Sequence, residues 1–369
     1  MRCSVYTAAQ PRPGEVRLHA RIGACFRVSN MHLHLLVPGL IWPSIHARGF
    51  ANTLALPALS RLLGAGHHRV EPAETPEQTW ARLFKADTAT LADAPLRRWG
   101  EADALRVDTP LLCADPSHLH FAGNYLLLTD AGELAITREE ADALIAAINA
   151  EFSDIGRFEA PTPDRWYLHP TKAPTAQLSR LSAATGRPVV HYLPSNGDAL
   201  VWQRTMNEIQ VVLHNHPINR TREAAGQRTI NSVWFWGPGE LPASLSAPAT
   251  HLAVSSPLVR GMARAAGLEP TTPQTFADLP AGDALVELSA VYHPSLYLDL
   301  EPWQAALLDL ERDWFAPAVA ALKAGTLSTL TLTMPDERGG RQITLKRRHL
   351  WCFWRKPKTL ETLTLASYS

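Results

Sequence analysis

The stretch over residues 207–242 reads NEIQVVLHNHPINRTREAAGQRTINSVWFWGPGELP and carries the pattern that decides the fold. Apolar residues at helical spacing run into it from Trp202, and a strand-like run over residues 230–236 leads into Gly237-Pro238-Gly239. Helices that alternate with strands in this way predict an α/β protein. Ligands of such proteins bind where strands end in loops, so the stretch also predicts a binding site.

Side chains that suit a ligand crowd this stretch and its surroundings. Asparagine, glutamine and glutamate offer polar groups, arginine forks match carboxylate and phosphate oxygens, and glycine lets backbone approach a ligand. Surface salt bridges are the alternative use of the arginines. The residues that we predict to bind a ligand are Arg165, Asn207, Glu208, Gln210, Asn219, Arg220, Arg222, Glu223, Asn231, Gly237 and Gly239.

The rest of the chain repeats the alternation of strand and helix. The best-bounded element is a helix over residues 257–266, because Ser256 suits the N-cap, Pro257 the first turn and Gly267 the end. We therefore expect an α/β/α sandwich with a mostly parallel sheet.

One α/β domain is expected over residues 31–369, with an inserted or smaller lobe at about residues 110–195. Residues 1–30 hold scattered arginines and no apolar run long enough for a signal peptide. We predict that they form a disordered or misassigned N-terminal extension.

Composition excludes several classes of function. The 369 residues are 46% hydrophobic and 19% charged, which is typical of a folded soluble protein. Lys plus Arg (35) equals Asp plus Glu (35), so no overall field attracts nucleic acid or an anionic membrane. The four cysteines form no CxxC pair, and no stretch approaches the roughly 20 apolar residues of a membrane span. We expect a cytoplasmic location, no membrane contact and an unknown protein partner.

Histidines spaced by one residue raise the question of a metal. On an extended segment His214 and His216 would point the same way, as metal ligands require. Asp115 and His118 could complete a site for manganese or zinc if the fold brings them together. Capping and hydrogen bonding are the alternative roles, so our first expectation is that no cofactor binds.

Residues 338–358 contain eight basic residues interleaved with Trp351, Phe353 and Trp354. Basic groups among aromatics can hold single-stranded nucleic acid. The more ordinary structure is a terminal strand with buried aromatics and exposed basic side chains. Because the net charge is zero, we predict the ordinary structure and no nucleic-acid partner.

Familiar catalytic motifs are missing from the sequence. It contains no GxSxG nucleophile elbow, no P-loop and no Rossmann glycine fingerprint. Thr75, within Ala73-Glu74-Thr75-Pro76-Glu77, is the single hydroxyl that we nominate as a nucleophile.

From Met31 onward a series of segments carries a resemblance to a known family. They are Leu36-Val37-Pro38-Gly39-Leu40, Leu56-Pro57-Ala58-Leu59, Ala114-Asp115-Pro116, Arg165-Trp166-Tyr167-Leu168, Asn207-Glu208-Ile209-Gln210, His216-Pro217-Ile218-Asn219 and Asn231-Ser232 through Gly237-Pro238-Gly239. In these segments the chain resembles the bacterial regulatory protein RpfE family, which is described as cofactor-independent phosphoglycerate mutase-like. It is more distantly similar to archaeal-type phosphoglycerate mutases of the alkaline phosphatase superfamily.

The resemblance implies an alkaline-phosphatase-like sandwich and phosphoryl transfer through a serine or threonine with two divalent metals. The sequence departs from that pattern. Gly39 stands where the resemblance implies a metal-binding aspartate, and Pro335-Asp336-Glu337 where it implies an Asp-His pair. The nucleophile's position falls near Thr75 without the adjoining aspartate.

Two functions follow as hypotheses. The first is a phosphoglycerate mutase-like protein with a degenerate metal site, which acts as a regulator or binds a small phosphorylated or carboxylated metabolite. The alternative is an active metal-dependent phosphotransferase, or a 2,3-bisphosphoglycerate-independent phosphoglycerate mutase with a rebuilt site that uses Asp115, His118, His214 and His216.

Overall fold

Two β-sheets organise the chain. The computed structural model describes residues 31–43, 54–87, 91–352 and 354–362, so the predicted extension over residues 1–30 lies outside the described residues. In chain order the strands are β1 (His32–Leu36), β2 (His67–Val70), β3 (Leu111–Ala122), β4 (Tyr125–Asp130), β5 (Gly156–Thr162), β6 (Arg165–Pro170), β7 (Ser232–Gly239), β8 (His251–Ala253), β9 (Ala284–Glu287), β10 (Thr329–Met334) and β11 (Arg341–Lys346).

Helices connect most of these strands. They are α1 (Pro57–Ala65), α2 (Pro76–Leu83), α3 (Asp93–Trp99), α4 (Arg138–Glu151), α5 (Leu181–Ala184), α6 (Ala199–Asn215), α7 (Pro217–Ala224), α8 (Pro257–Ala265), α9 (Tyr292–Leu296), α10 (Leu300–Leu310) and α11 (Ala316–Ala324). Short 3-10 turns cover Ala131–Glu133, Val189–His191, Phe276–Asp278 and Arg347–Trp351, and a π-helical turn, Glu311–Phe315, joins α10 to α11.

The first sheet has six strands in the order β2-β11-β10-β1-β9-β8. Its central strands run parallel, so that Leu35 of β1 lies between Leu332 of β10 and Val286 of β9. Strand β11 pairs antiparallel with β10, and the edge strand β2 pairs antiparallel with β11. Side chains alternate between two faces of a strand, and accordingly Leu33 and Leu35 join one buried cluster while Leu36 joins another. Helices thus cover both faces of this sheet.

The second sheet is antiparallel throughout and forms the core of a second lobe. It has the order β4-β3-β6-β5, with β7 paired to β3. Its buried cluster includes the apolar face predicted for α6, namely Trp202, Met206, Ile209 and Leu213. The segment that forms this sheet spans residues 111–239, past the predicted lobe boundary at 195.

The prediction of a mostly parallel sheet is not confirmed, because parallel pairing is confined to β10, β1, β9 and β8 of the first sheet and the second sheet is antiparallel. Two-residue loops explain the difference. Gly123-Asn124 joins β3 to β4, and Pro163-Asp164 joins β5 to β6. A parallel pair needs a crossover of a dozen or more residues, whereas a loop this short forces a hairpin. The observed fold is a mixed α/β fold.

Helix α3 joins the two lobes. Its Leu96 packs in the first lobe and its Ala94 in the second. Gly100 and Gly261 allow close contact with α8, since a Cβ at Gly261 would lie 1.7 Å from the Leu96 carbonyl oxygen. Across the described ranges, the search for a helix long and apolar enough to span a bilayer found none.

Candidate functional site

A cleft between the lobes opens at the carboxyl ends of β1 and β10. It has a volume of about 360 Å³, which suits a small metabolite. The first lobe contributes the turns after β1 and β10, the start of α2 and one side of α9, and the second lobe contributes the turn around Gly186. The described lining residues are Gly39, Ile41, Pro43, Glu74, Pro76, Thr185, Gly186, Arg187, Tyr292, Ser295, Leu296, Leu298, Pro335, Asp336, Glu337 and Arg338.

Two arginines of the cleft are held by carboxylates. Arg187 of the second lobe pairs with Glu337 of the first at 2.8 Å, and both side chains remain more than a third exposed. Arg338 pairs with Asp336 at 2.9 Å and donates to the carbonyl of Pro43. Burial opposes the charge of Arg187, but bonds to Tyr192 and Glu337 raise its pKa above the usual value. Both guanidinium groups are therefore cationic donors at the mouth of the cleft.

Tyr292 supplies a neutral donor to the same cleft. Burial, together with Glu77 and Glu337, raises its pKa well above the usual value, so the hydroxyl keeps its proton at neutral pH. Glu287, at the end of β9, is half-buried, and burial raises its pKa. It accepts hydrogen bonds from Trp80 Nε1 and the Ser256 backbone, so it stays satisfied whether or not it ionises.

Thr75 stands at the rim of the cleft as the N-cap of α2. Its hydroxyl accepts from the Gln78 backbone at 3.3 Å and its own backbone donates to the Gln78 side chain, which completes a capping box. The flanking Glu74 and Pro76 line the cleft. The positive end of the α2 dipole favours an anion here.

One side of α9 fastens the lobes together beside the cleft. His293 lies 3.5 Å from Asp130 and 3.7 Å from Glu133, and the Tyr297 hydroxyl accepts from the Asp130 backbone. The neighbouring Asp130 carboxylate raises the pKa of His293, with burial opposing it. We refer to these four residues as the lobe clasp.

The residues predicted to bind a ligand lie elsewhere, since none of them lines the cleft. On α6, Asn207 and Glu208 are exposed, Gln210 is half-buried, and Glu208 pairs with Arg204. Arg220 and Glu223 lie on the exposed side of α7. Their role in ligand binding stays a prediction.

Buried members of the predicted set hold the second lobe together. Asn219 bonds the Leu213 carbonyl and both backbone groups of Ile230. Arg222 reaches Glu140 at 2.8 Å and donates to the carbonyls of Leu134 and Arg228.

The remaining residues of the predicted set lie where helices, strands and loops contact one another. Asn231 bonds both backbone groups of Leu119, and Arg165 makes a bidentate pair with Glu101. Gly237 and Gly239 let β7 pass close to Asp93 and Ala92, since a Cβ at Gly237 would lie 2.7 Å from the Asp93 Cβ.

The four predicted metal ligands do not form a cluster. Asp115 is buried and accepts from Arg97 and from Trp236 Nε1. His118 bonds Thr229. The expectation of an extended segment at His214 and His216 was wrong, because His214 lies in the last turn of α6 and His216 caps α7. Within the described part of the chain, no three His, Cys, Asp or Glu side chains are placed to hold a metal.

The cleft itself fits the two-metal site of the resemblance poorly. Gly39 has φ +74°, and a Cβ there would lie 2.7 Å from the Tyr292 Cα, so an aspartate at this position requires a backbone shift. Asp336 is already paired with Arg338 and Glu337 with Arg187. No histidine is found among the described residues that line the cleft. The described lining thus combines two guanidinium groups, Arg187 and Arg338, with three carboxylates, Glu74, Asp336 and Glu337.

Sequence reasoning missed Arg187 and Arg338. A usable signal was present, because Asp336-Glu337-Arg338 is a charged turn directly after a buried strand. Arg187 carried no local signal, since its partner Glu337 lies 150 residues away.

This geometry defines a two-lobed mixed α/β protein with a metabolite-sized cleft at the ends of parallel strands. Part of the chain is similar to 2,3-bisphosphoglycerate-independent phosphoglycerate mutases. It is 31% identical over 110 residues to such a mutase of Methanothermobacter thermautotrophicus, covering 29% of this chain and 27% of that one. For a probable mutase of Geobacter sulfurreducens the identity is 36% over 90 residues, 23% of each chain.

A third mutase, from Methanothrix thermoacetophila, is 35% identical over 57 residues, 15% of this chain and 14% of its own. The matches thus span less than a third of each relative's length. No protein-family model matches the chain.

Two solved structures resemble the chain over most of its length. A cofactor-independent phosphoglycerate mutase of Thermoplasma acidophilum gives a TM-score of 0.42 at 17% identity, covering 86% of this chain and 90% of that one. A Pyrococcus horikoshii protein gives 0.49 at 14% identity, covering 86% and 88%.

Proposed function

We propose that this chain is a phosphoglycerate mutase-like protein of the RpfE type that binds a small phosphorylated or carboxylated metabolite in the cleft between its lobes. In this proposal it acts by ligand sensing or regulation. The observation that carries the proposal is the pair of partly exposed arginines, Arg187 and Arg338, that face a cleft of about 360 Å³.

An anion can take over the bonds that hold these arginines. Glu337 is 42% exposed, so it can turn into water when a phosphate or carboxylate bonds Arg187. The α2 N-terminus and the Tyr292 hydroxyl add donors on the first-lobe side. Because Arg187 and Arg338 come from different lobes, a bound anion would also link the lobes.

Calorimetric titration with 3-phosphoglycerate tests the proposal, with inorganic phosphate and uncharged glycerol as comparison ligands. Arg187→Ala and Arg338→Ala each remove charged hydrogen bonds and should weaken binding by roughly 10- to 150-fold. Arg204→Ala is the matched control, because Arg204 is 80% exposed on α6 and also pairs with a glutamate. No binding, or equal affinity for the wild type and the Arg187 variant, would refute the proposal.

An active phosphotransferase or mutase is the second candidate, favoured by the names of the relatives and by the position of Thr75 beside the cleft. It predicts conversion of 3-phosphoglycerate to 2-phosphoglycerate with added manganese, lost in Thr75→Ala. It also predicts metal in stoichiometric amount after purification. Elemental analysis and this assay together decide between sensing and catalysis.

A further inference from the structure

A second surface lies at the opposite end of the first sheet from the cleft. The cleft follows Met334 at the end of β10, whereas Lys346 of β11 pairs with Thr329 at its start. Beyond Lys346 the chain forms the short helix Arg347–Trp351 and a loop that returns to α1. We define the tryptophan patch as the exposed residues Arg347, Arg348, Trp351, Trp354, Arg355, Lys356 and Lys358.

The two indoles of this patch are unusually exposed. Trp351 is 75% and Trp354 is 67% accessible, although tryptophan is highly buried on average. The prediction that the aromatic residues here are buried was therefore wrong for these two. Phe353, between them, lies outside the described residues. Two indoles exposed to this extent beside cations suggest a surface that contacts a partner.

The patch borders a basic groove of about 530 Å³. The described residues that line it include no carboxylate; they are Gly64, Gly66, His67, His68, Trp354, Arg355, Lys356 and Lys358. Residues 338–358 hold eight basic residues and no acidic one, in a chain of zero net charge. Among the ion pairs recorded for the described residues, none involves Arg355, Lys356 or Lys358. The groove therefore concentrates positive charge.

The groove is fixed in place by backbone bonds. Arg61 on α1 donates to the carbonyls of Leu350 at 2.7 Å and Arg355 at 3.3 Å, which ties the short helix to the loop. Arg355 donates to the Ala65 carbonyl at 2.7 Å. A Cβ at Gly64 would lie 2.1 Å from the Lys356 carbonyl oxygen, so the loop lies directly on α1. A preformed surface loses little entropy when it binds.

We propose that the tryptophan patch binds single-stranded nucleic acid, with the groove cations on the phosphates and the indoles stacked on bases. The cations alone would suit any partner that carries phosphates. The exposed rings in addition suit a partner with flat aromatic faces, such as bases. The groove brings Trp354 together with Arg355 and Lys356, which places a ring beside cations as a stacked base and its phosphate require. A single strand is narrow and flexible enough to enter it.

Fluorescence anisotropy of the full chain with a labelled oligothymidylate of about 20 nucleotides tests the proposal, since this exceeds a typical single-strand site. For each phosphate contacted, affinity should fall by about 0.7 logarithmic units per tenfold increase in salt concentration. Trp351→Ala and Trp354→Ala should each weaken binding by roughly 5- to 150-fold, as expected for loss of a stacked base. Lys356→Glu with Lys358→Glu should abolish it.

Matched controls use the same changes elsewhere on the surface. Phe121→Ala removes a 77% exposed ring, and Lys172→Glu with Lys323→Glu makes the same charge change at exposed sites. Both controls should leave the affinity unchanged. The variants are compared after thermal unfolding shows that they are folded.

Binding of heparin and of anionic vesicles distinguishes a nucleic-acid site from a general polyanion site or a membrane site. Heparin lacks bases, so its binding should weaken in the lysine variant and stay unchanged in the tryptophan variants. If oligonucleotide binding is also insensitive to the tryptophan changes, the patch is a general polyanion site and the proposal fails. It fails equally if phosphatidylserine vesicles bind through the tryptophans and the oligonucleotide does not bind.

Discussion

Arginine plays two different roles in the second lobe and in the cleft. Arg97 is 7% exposed and meets Asp115, which is 2% exposed, at 2.7 Å. It also donates to the Tyr167 hydroxyl and the Trp166 carbonyl, and its guanidinium lies over the rings of Tyr167 and Trp236. Arg187 in the cleft has one carboxylate partner, Glu337, and both remain in contact with solvent.

The difference shows how to tell a structural ion pair from a binding group. Burial opposes the charge of Arg97, but Asp115 raises its pKa well above the usual value, because neither ion can exchange its partner for water. Arg187 can exchange Glu337 for water or for a ligand anion at little cost. Full burial with saturated bonds therefore indicates a structural role, and partial exposure with one partner indicates a candidate site.

Breaking the buried ion pair of Arg97 and Asp115 should have the largest effect on stability. Asp115→Ala leaves the Arg97 charge buried without its partner and should lower the free energy of unfolding by about 3–5 kcal/mol. Urea denaturation measures this. Replacing both ions in Arg97→Met/Asp115→Leu should recover part of the loss, since no unpaired charge remains. A loss below about 1 kcal/mol for the single variant would contradict a structural role.

His34, a half-buried residue of β1, should make the stability of the protein depend on pH. Burial lowers its pKa from 6.5 to about 4, and its Nε2 lies 2.8 Å from the Thr333 hydroxyl. The unfolded chain binds the proton more tightly than the folded protein does. The contribution of His34 to the free energy of unfolding is therefore fully present above pH 6.5 and is lost as pH falls towards 4. At about 1.4 kcal/mol per pKa unit, the loss at pH 4 is about 3 kcal/mol.

His34→Gln keeps a hydrogen-bonding side chain without the titration. Its free energy of unfolding, measured by urea denaturation at several pH values, should fall less steeply with acid than that of the wild type. His214→Gln, at an exposed position on α6, serves as the control and should follow the wild type. Parallel curves for wild type and His34→Gln would show that the pKa of His34 is the same in the folded and unfolded protein, and would contradict the expected shift.

Elements with local signals could be predicted from the sequence, and pairings between distant segments could not. The apolar face of α6 and the end of α8 follow from spacing and capping within a few residues. Arg222 meets Glu140 across 82 residues and Arg187 meets Glu337 across 150. No local pattern distinguishes these two arginines. Arg222, which has a structural role, was therefore predicted to bind a ligand, and Arg187 of the cleft was not.

The second sheet shows the same difference between local patterns and the pairing of distant strands. The strand-like run over residues 230–236 and the helical spacing from Trp202 were recognised, but the alternation of strand and helix was taken to imply parallel crossovers. The loops at Gly123-Asn124 and Pro163-Asp164 are too short for a crossover, and they were the local evidence for hairpins. Pairing β7 with β3, by contrast, depends on tertiary packing over more than 100 residues.

The lobe clasp should give a smaller pH effect of opposite sign to that of His34. The pKa of His293 is raised, so the folded protein binds the proton more tightly and the stabilisation is present below about pH 6.5. It is lost as pH rises through the raised pKa. Because His293 is 42% exposed, His293→Gln should change stability by less than about 1 kcal/mol, only on the acid side. An equal effect at pH 6 and pH 9 would contradict this.

Removing the carboxylate beside Arg187 should have the smallest effect on stability and the most informative effect on binding. Glu337→Gln breaks a half-exposed ion pair, so the free energy of unfolding should change by no more than about 1 kcal/mol. Affinity for 3-phosphoglycerate, measured by calorimetry, should rise, because the ligand no longer competes with a fixed carboxylate. Glu208→Gln on α6 is the matched control. If Glu337→Gln instead weakens binding as much as Arg187→Ala, then Glu337 positions the arginine, and the cleft pair is structural in the same sense as Arg97 and Asp115.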